Sequence, residues 1–589
     1  QTWQSPSGWD IQWAELRMLE PVQERIVGYP EIAMSVITYS NPGDVTAELV
    51  WVGSGTRDSD YAGKDVKGKF VLATGYGGAV HRLAVLKYGA KAVVCYLDDE
   101  RAKEHPDMLQ YTGMWPRTEE LDRVTFGFNL TNRQGERLRR LLETGHKVVL
   151  RGQVKGIGLE PYFMDVVVAR IPGSQQPDEE IVFSAHLDHP KESANDNASG
   201  SAAILDIARS LKTLIDSGRL TRPKRSLRFL WVPEWYGTMA YIDRHPELAG
   251  VPLGGKILAD LNLDMVGENT ELLHSKLILT RTPDSIPSVL DEVVANMAAM
   301  VDGMSIRTPR GSLSEFNYRM TPYSGGSDHM MFIERKVPAV MFTHAPDYTH
   351  HTSEDTPDKV DPVELERCEI IAAASALFLS DLDAREAEEL AFLAFGEGQR
   401  RMAQSLRQAA DALAATDGHD ERDRLARVQN VLIQARTRAE ARLASLLAFN
   451  DEPQIRSLVQ KLQDALRRDA EASMALMAEE LDRKGLGRWP SEEAGETDER
   501  VPVRVTRGPL DFGLPERKLS ESEREWYATA ATSLNRSRRF ELVNFVDGNR
   551  TVSQIRDAVS AEFGPLELAV VSRYFEDLVR AGAMKWKAK

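Results

Sequence analysis

The centre of this sequence predicts an α/β fold, a mostly parallel sheet with helices on both faces. Short apolar runs alternate there with stretches of helical period: 181-IVFSA-185, helix 199–213, 227-LRFLWV-232, helix 237–243, 256-KILADLNLD-264 and 337-VPAVMFTH-344. Apolar strands without alternation, separated by helices, belong to parallel sheets buried on both sides. Polar clusters follow directly on the ends of the runs, and ligands of such sheets gather beyond the carboxyl ends of the strands. In helix 199–213 the apolar stripe reads Ile204, Leu205, Ala208 and Leu211.

Before the centre, residues 1–44 contain a strand-like 31-EIAMSVITY-39, and a β-type alternation starts at 45. The unit 66-VKGKFVLATGYGG-78 is a turn, a buried strand and a glycine loop, followed by a helix from 79 to near Gly89 and a second buried strand, 92-AVVCY-96. GYGG lacks a following Lys-Ser/Thr, so it reads as a turn and not a phosphate loop. Residues 145–173 return to strands. After about 362 the texture is helical, over 362–378, 386–416, 421–449 and 454–485, the last three joined by 417-DGHD-420 and 450-NDEP-453. A turn-rich linker covers 487–518. Residues 519–589 have the outline of a winged-helix-like domain, without the basic face that DNA binding requires.

The 589 residues exceed a single core and predict three or four domains of about 150 residues. A net charge of -16 opposes nucleic acid and anionic membrane as partners. No apolar run approaches the roughly 20 residues of a bilayer span. Two cysteines, Cys95 and Cys368, are too few for a disulfide scaffold. The first residue is Gln1, and a removed targeting peptide predicts a secreted or periplasmic protein, with a trimmed cytoplasmic chain as the alternative.

The chemistry lies at the strand ends. His186 and Asp188 form H-x-D after 181–185; Asp196 follows ten residues past His186; Glu234 follows 227–232; Asp264 ends 256–264; His351 follows 337–344. Four elements thus bring nitrogen and oxygen donors to one sheet edge, a set suited to catalytic zinc with an open position. Asp188 is expected to orient the His186 ring. Asp328 and His329 in 325-GGSDHMMF-332, with Tyr323 and Tyr348, are candidates for substrate contacts or for hydrogen bonds behind the ligands.

These motifs, 186-HLD-188, 194-ANDNASG-200, 262-NLDMVG-267, 327-SDH-329 and 351-HTSEDTPD-358, resemble those of the M28 family of zinc aminopeptidases and carboxypeptidases. The resemblance implies a zinc-exopeptidase-like catalytic domain over 1–44 and 160–385. Residues 45–159 resemble the protease-associated domain inserted in that family, and 386–486 resemble a helical region that supports homodimers. One zinc is then expected on His186, Asp196 and Asp264, and a second on Asp196, His351 and the second glutamate of a Glu-Glu pair. Here that pair reads Glu234-Trp235, and indole cannot ligate zinc. Either Glu234 remains the general base and the second ion is weak, absent or completed by water or another side chain such as Glu192, or Glu234 moves into the coordination shell. The expected activity is a peptide hydrolase, an aminopeptidase first. A carboxypeptidase, a single-zinc cyclase or amidohydrolase, and a non-catalytic peptide-binding scaffold are the alternatives.

Overall fold

The computed structural model describes residues 2–189, 191–308, 311, 315–414, 421–485, 489, 496–506, 510, 514, 518–530 and 533–588. The expected joint 417–420 lies outside them, as does part of the 487–518 linker.

The central sheet has seven strands: β10 (Val167–Ile171), β11 (Gln176–His186), β12 (Arg225–Val232), β13 (Ile257–Leu263), β14 (Lys276–Thr280), β15 (Tyr318–Thr321) and β16 (Ala339–Ala345), in the order β10-β12-β11-β13-β16-β14-β15. β12, β11, β13 and β16 are parallel neighbours; β10 runs against β12, and β14 runs against β16 but parallel to β15. The two faces follow from strand alternation. Ile181, Phe183 and Ala185 pack with helices Gly200–Asp216, Leu290–Gly303 and Pro362–Asp381, while Val182 packs with Tyr241, Phe332 and Ile333 of helices Tyr236–Arg244 and His329–Glu334 on the other side. Leu205 is not on the buried stripe of its helix. It is 59% exposed, and Ile204, Ile207 and Leu211 face the core, since Leu205 lies about 100° around the helix from Ile204.

The expected boundary at residue 44 is corrected by strand pairing. β2 (Trp13–Glu20) and β3 (Glu24–Tyr29) join β8 (Val149–Lys155), β4 (Gly43–Trp51), β5 (Phe70–Ala73), β6 (Ala92–Cys95) and β7 (Phe126–Asn129) in a second seven-stranded sheet, order β3-β2-β8-β4-β5-β6-β7. Residues 13–155 therefore form one N-terminal domain. β1 (Thr2–Asp10) pairs with β9 (Gly158–Asp165), and β9 leads into β10. The stretch 31–39 is not a strand. Ala33–Ser35 is a 3-10 turn, and Val36 and Thr38 make isolated bridges to Phe128 and Gly113.

Helices Ala384–Ala414, Glu421–Ser445 and Pro453–Lys484 keep only a small cluster of their own, around Ala409, Val428 and Leu432, and otherwise share the core of the central sheet. Leu390, Leu443, Leu446, Ile455 and Leu466 continue the apolar cluster of the central sheet. Arg442 is buried between Asp291 (2.8 Å) and Glu292 (2.7 Å) of the central-sheet domain. At the C-terminus, helices Glu521–Ala530, Arg536–Asn544, Val552–Phe563 and Leu568–Arg580 share a cluster of their own, and β17 (Pro502–Arg504) pairs with β18 (Met584–Trp586). No described helix is long and apolar enough to cross a membrane.

This C-terminal unit docks on the central-sheet domain through Phe540 and through polar groups. Buried Glu541 accepts from Ser285 N (3.0 Å) and Oγ (2.8 Å). Burial raises the Glu541 pKa, and Asp284 adds to the rise. Burial likewise raises Glu562, with Glu541 and Asp284 adding and Arg438 opposing. A folded acid with a raised pKa contributes its full stability below its unfolded value, about 4.3, and loses it as pH climbs through the folded value. Docking is therefore expected to weaken as pH climbs from about 4.3 through about 7, where Glu541 titrates, and on toward about 11, where Glu562 does. Glu562→Gln should flatten that dependence in thermal unfolding. A wild-type unfolding temperature that rises over this interval would contradict it.

Candidate metal centre

The strand ends of β11, β12 and β13 place the candidate residues. His186 is the last residue of β11 and is buried. Its Nδ1 meets the main-chain carbonyl oxygen of Asp188 at 2.9 Å, so Nδ1–H donates there and Nε2 presents a lone pair. That lone pair faces Asp196 Oδ1 at 3.2 Å and Asp264 Oδ1 at 3.4 Å. The expected carboxylate contact is corrected. The Asp188 carboxylate stands 3.9 Å from Nδ1 and instead accepts from Glu234 N at 2.6 Å.

Asp196 is aimed by its asparagine-rich loop. Asp355 Oδ1 accepts from Asn195 N (2.7 Å) and its Oδ2 from Asp196 N (2.9 Å). Asn197 Nδ2 donates to Leu263 O (3.0 Å), and its Oδ1 accepts from Gly200 N and Met265 N. Asn195 Oδ1 accepts from Gly267 N (3.1 Å). Both asparagines thus tie the loop to the segment carrying Asp264. Gly200 permits this closeness, because a Cβ there would lie 2.1 Å from Leu263 O. Asp264 N donates to Phe342 O in β16 (3.0 Å).

Glu234 starts the turn after β12. Asp188 takes its amide, and Asp328 Oδ1 takes the amide of Trp235 (2.9 Å) and the hydroxyl of Thr238 (2.5 Å). Trp235 sits at φ +59°, a strained setting for a bulky residue, which these two carboxylates hold. Burial raises Glu234 to about 9, with Asp264, Asp328 and Asp196 adding to the rise and His186 opposing it. Burial would keep His186 neutral, but Asp264 and Asp196 outweigh it and carry its pKa well above 6.5.

His186 Nε2 and carboxylate oxygens of Asp196 and Asp264 lie within 4.8 Å of one another. Lone pairs of one imidazole and two carboxylates converge there beside a third carboxyl, Glu234. A proton on His186 Nε2 meets these carboxylates in the free protein, a cation can take its place, and the nitrogen and oxygen donors fit zinc. The residues present therefore fit the ion that the sequence implies.

His351 Nε2 is 3.1 Å from Asp196 Oδ2, as expected of a residue on that side. Two histidines were missed by the sequence reading. His189 and His350 also bring Nε2 to Asp196 Oδ2, at 3.2 and 3.3 Å. Their signals were the second histidine of 186-HLDH-189 and the tandem pair 350-HH-351. Glu192, proposed as a substitute carboxylate, belongs to neither of the candidate groups found among the described residues.

The other candidates are packed. Tyr348 stacks on His105 of the N-terminal domain at 4.1 Å. Tyr323 is buried and stacks on Phe540 of the C-terminal unit at 4.8 Å. His329 is buried, its Nε2 2.8 Å from Ser324 O, and burial lowers it to about 4. Asp328 holds the Trp235 turn and is raised to about 6 by burial.

Residues 166–376 match the family described as "Peptidase family M28". Carboxypeptidase Q of Xenopus laevis is 23% identical over 262 residues, 43% of this chain and 50% of that protein. The chain spans half or less of the length of the curated relatives it matches. Among solved structures, the aminopeptidase from Aneurinibacillus sp. strain AM-1 is 25% identical with a TM-score of 0.44, over 64% of this chain and 83% of that one. A zinc aminopeptidase from Bacillus subtilis is 20% identical with a TM-score of 0.48, over 65% and 85%.

Asp355→Ala would leave two buried amides without acceptors, at about 1–3 kcal/mol each. The expected result is a lower unfolding temperature and a zinc affinity weakened about 10- to 100-fold, read by competition with a chromophoric chelator. Unchanged zinc affinity would remove Asp355 from the support of the site.

Proposed function

With residues 166–376 a peptidase family M28 domain, we propose that the chain is a zinc exopeptidase that acts first as an aminopeptidase. The observation that carries this reading is the convergence of His186, Asp196 and Asp264 beside the buried carboxyl of Glu234. His186, Asp196 and Asp264 would hold zinc, which would supply Lewis acidity to lower the pKa of an attacking water from about 15.7 toward 7 and to polarise the scissile carbonyl. Glu234, raised by burial, would be favoured in its ionised form by a cation held on these ligands, and could then accept a proton. Glu234 takes that proton and returns it to the leaving amine. Asp188 and Asp328 fix the main chain on either side of this transfer by accepting from the amides of residues 234 and 235. The carboxylates of Asp196, Asp264 and Glu234 give the pocket the negative charge that a free α-ammonium requires.

One observation favours a second reading. The Arg536 guanidinium of the C-terminal unit lies over the Trp235 ring, 5.3 Å from its centroid and one residue along the chain from Glu234. An arginine there suits the terminal carboxylate of a peptide, and so a carboxypeptidase.

Turnover of aminoacyl-nitroanilides against their N-acylated forms separates the two. An aminopeptidase cleaves only the free amines. Equal rates would sink that reading, and cleavage of N-blocked dipeptides with a KM raised by Arg536→Ala would establish the second. Glu234→Gln is expected to keep its zinc and to lose about 10²- to 10⁴-fold in kcat. Loss of zinc from that variant would make Glu234 a ligand.

A further inference from the structure

Three imidazoles surround one oxygen of Asp196, and the zinc proposed on His186, Asp196 and Asp264 uses none of them. His189 leaves the end of β11 by a short loop, and its side chain is 7% exposed. His350 and His351 are adjacent in sequence, yet their rings lie 3.8 Å apart and both reach Asp196 Oδ2. Successive side chains of an extended strand point to opposite sides, so this pairing needs an unusual backbone. It has one: His351 adopts φ +61°. Such a setting is strained and persists only where the surroundings impose it.

The N-terminal domain imposes it. Tyr111 N donates to His351 O at 2.7 Å, and Arg101 Nη1 donates to His350 O at 2.8 Å. The Tyr111 ring stands edge-on to His351 at 5.5 Å and 6.0 Å from His189. The His189 and His351 rings are themselves 5.0 Å apart. His189, Asp196 and His351 each offer a ligand atom within 4.8 Å of the others. Trp235, which follows Glu234, has only an N–H donor and no lone pair to give.

We propose that this chain builds a second metal position from imidazoles, with His189, His351 and Asp196 Oδ2 as ligands and His350 as the further nitrogen at the same oxygen. Asp196 then bridges, its Oδ1 serving the position shared with His186 and Asp264. The assignment rests on the exopeptidase reading for the first ion and adds His189 to it. Its chemistry differs from that of a carboxylate-rich position. Asp196 is the one anion, shared with the first ion, so the second ion feels less Coulomb attraction and binds more weakly. Neutral nitrogens select zinc, cobalt, nickel or copper over magnesium, manganese or calcium.

The test is zinc stoichiometry of the full chain, stripped with chelator and dialysed against buffered free zinc, read by elemental analysis. Wild type is expected to hold two zinc ions per chain, the second released at higher free zinc than the first. His189→Ala and the more conservative His189→Asn should each hold one, with an unchanged circular dichroism spectrum. Substitution with cobalt gives a second readout: the visible absorption added by the second equivalent should be missing in both variants. Two ions in both His189 variants would overturn the proposal, as would a single ion in wild type, which would leave the exopeptidase reading intact. No zinc in wild type would overturn both.

Discussion

Asp196 divides its two carboxylate oxygens between two sets of imidazoles. Oδ1 faces His186, and Oδ2 faces His189, His350 and His351. A buried carboxylate is tolerated only where compensating charge and hydrogen bonds surround it, and here both are supplied. Desolvation would raise its pKa, yet the four imidazoles hold it well below the usual carboxylate range. Its main-chain amide is gripped by Asp355, and its loop is stitched by Asn195 and Asn197 to the segment of Asp264. Remove the orientation of this one side chain and the donors on β11, β13 and the 345–358 loop lose their common point.

The sheet brings these donors together, but its neighbours fix them. The N-terminal domain supports the histidine loop: the bridge between Gln110 and Thr352 and the hydrogen bond from Ser353 N to Leu109 O extend the grip of Tyr111 and Arg101. The C-terminal unit supports the opposite wall through Phe540 on Tyr323 and Arg536 on Trp235. The helical region stiffens the base of the domain through Arg442, whose buried pairing with Asp291 and Glu292 tolerates little displacement.

Much of this was legible in the sequence. β11, β12 and β13 are buried on both faces, so their apolar runs stand out, and His186, Asp196 and Asp264 follow at their ends. The pairing of β2 with β8 was not legible, because its partners are more than a hundred residues apart and local alternation says nothing of who pairs with whom. That is why residues 1–44 were placed with the wrong sheet. His189 was hidden for a related reason: its reach depends on the path of its loop, and a histidine three residues past a ligand reads as solvated loop. Tyr323 and Tyr348 stand in the right loops, but each found an aromatic partner in a neighbouring domain. Asp188 stands in the right motif, but it orients the glutamate turn through its carboxylate and the imidazole through its carbonyl.

The wall behind Trp235 has a consequence for biosynthesis. Ligands from residues 186–351 leave the ribosome long before Arg536 and Phe540 do. The central-sheet domain can gather its donors early, while the surface beside Glu234 stays open to solvent until the segment carrying Arg536 and Phe540 emerges and docks. Completion of the pocket is thus deferred until this unit has emerged, and a nascent chain that lacks it carries the centre without its finished binding surface.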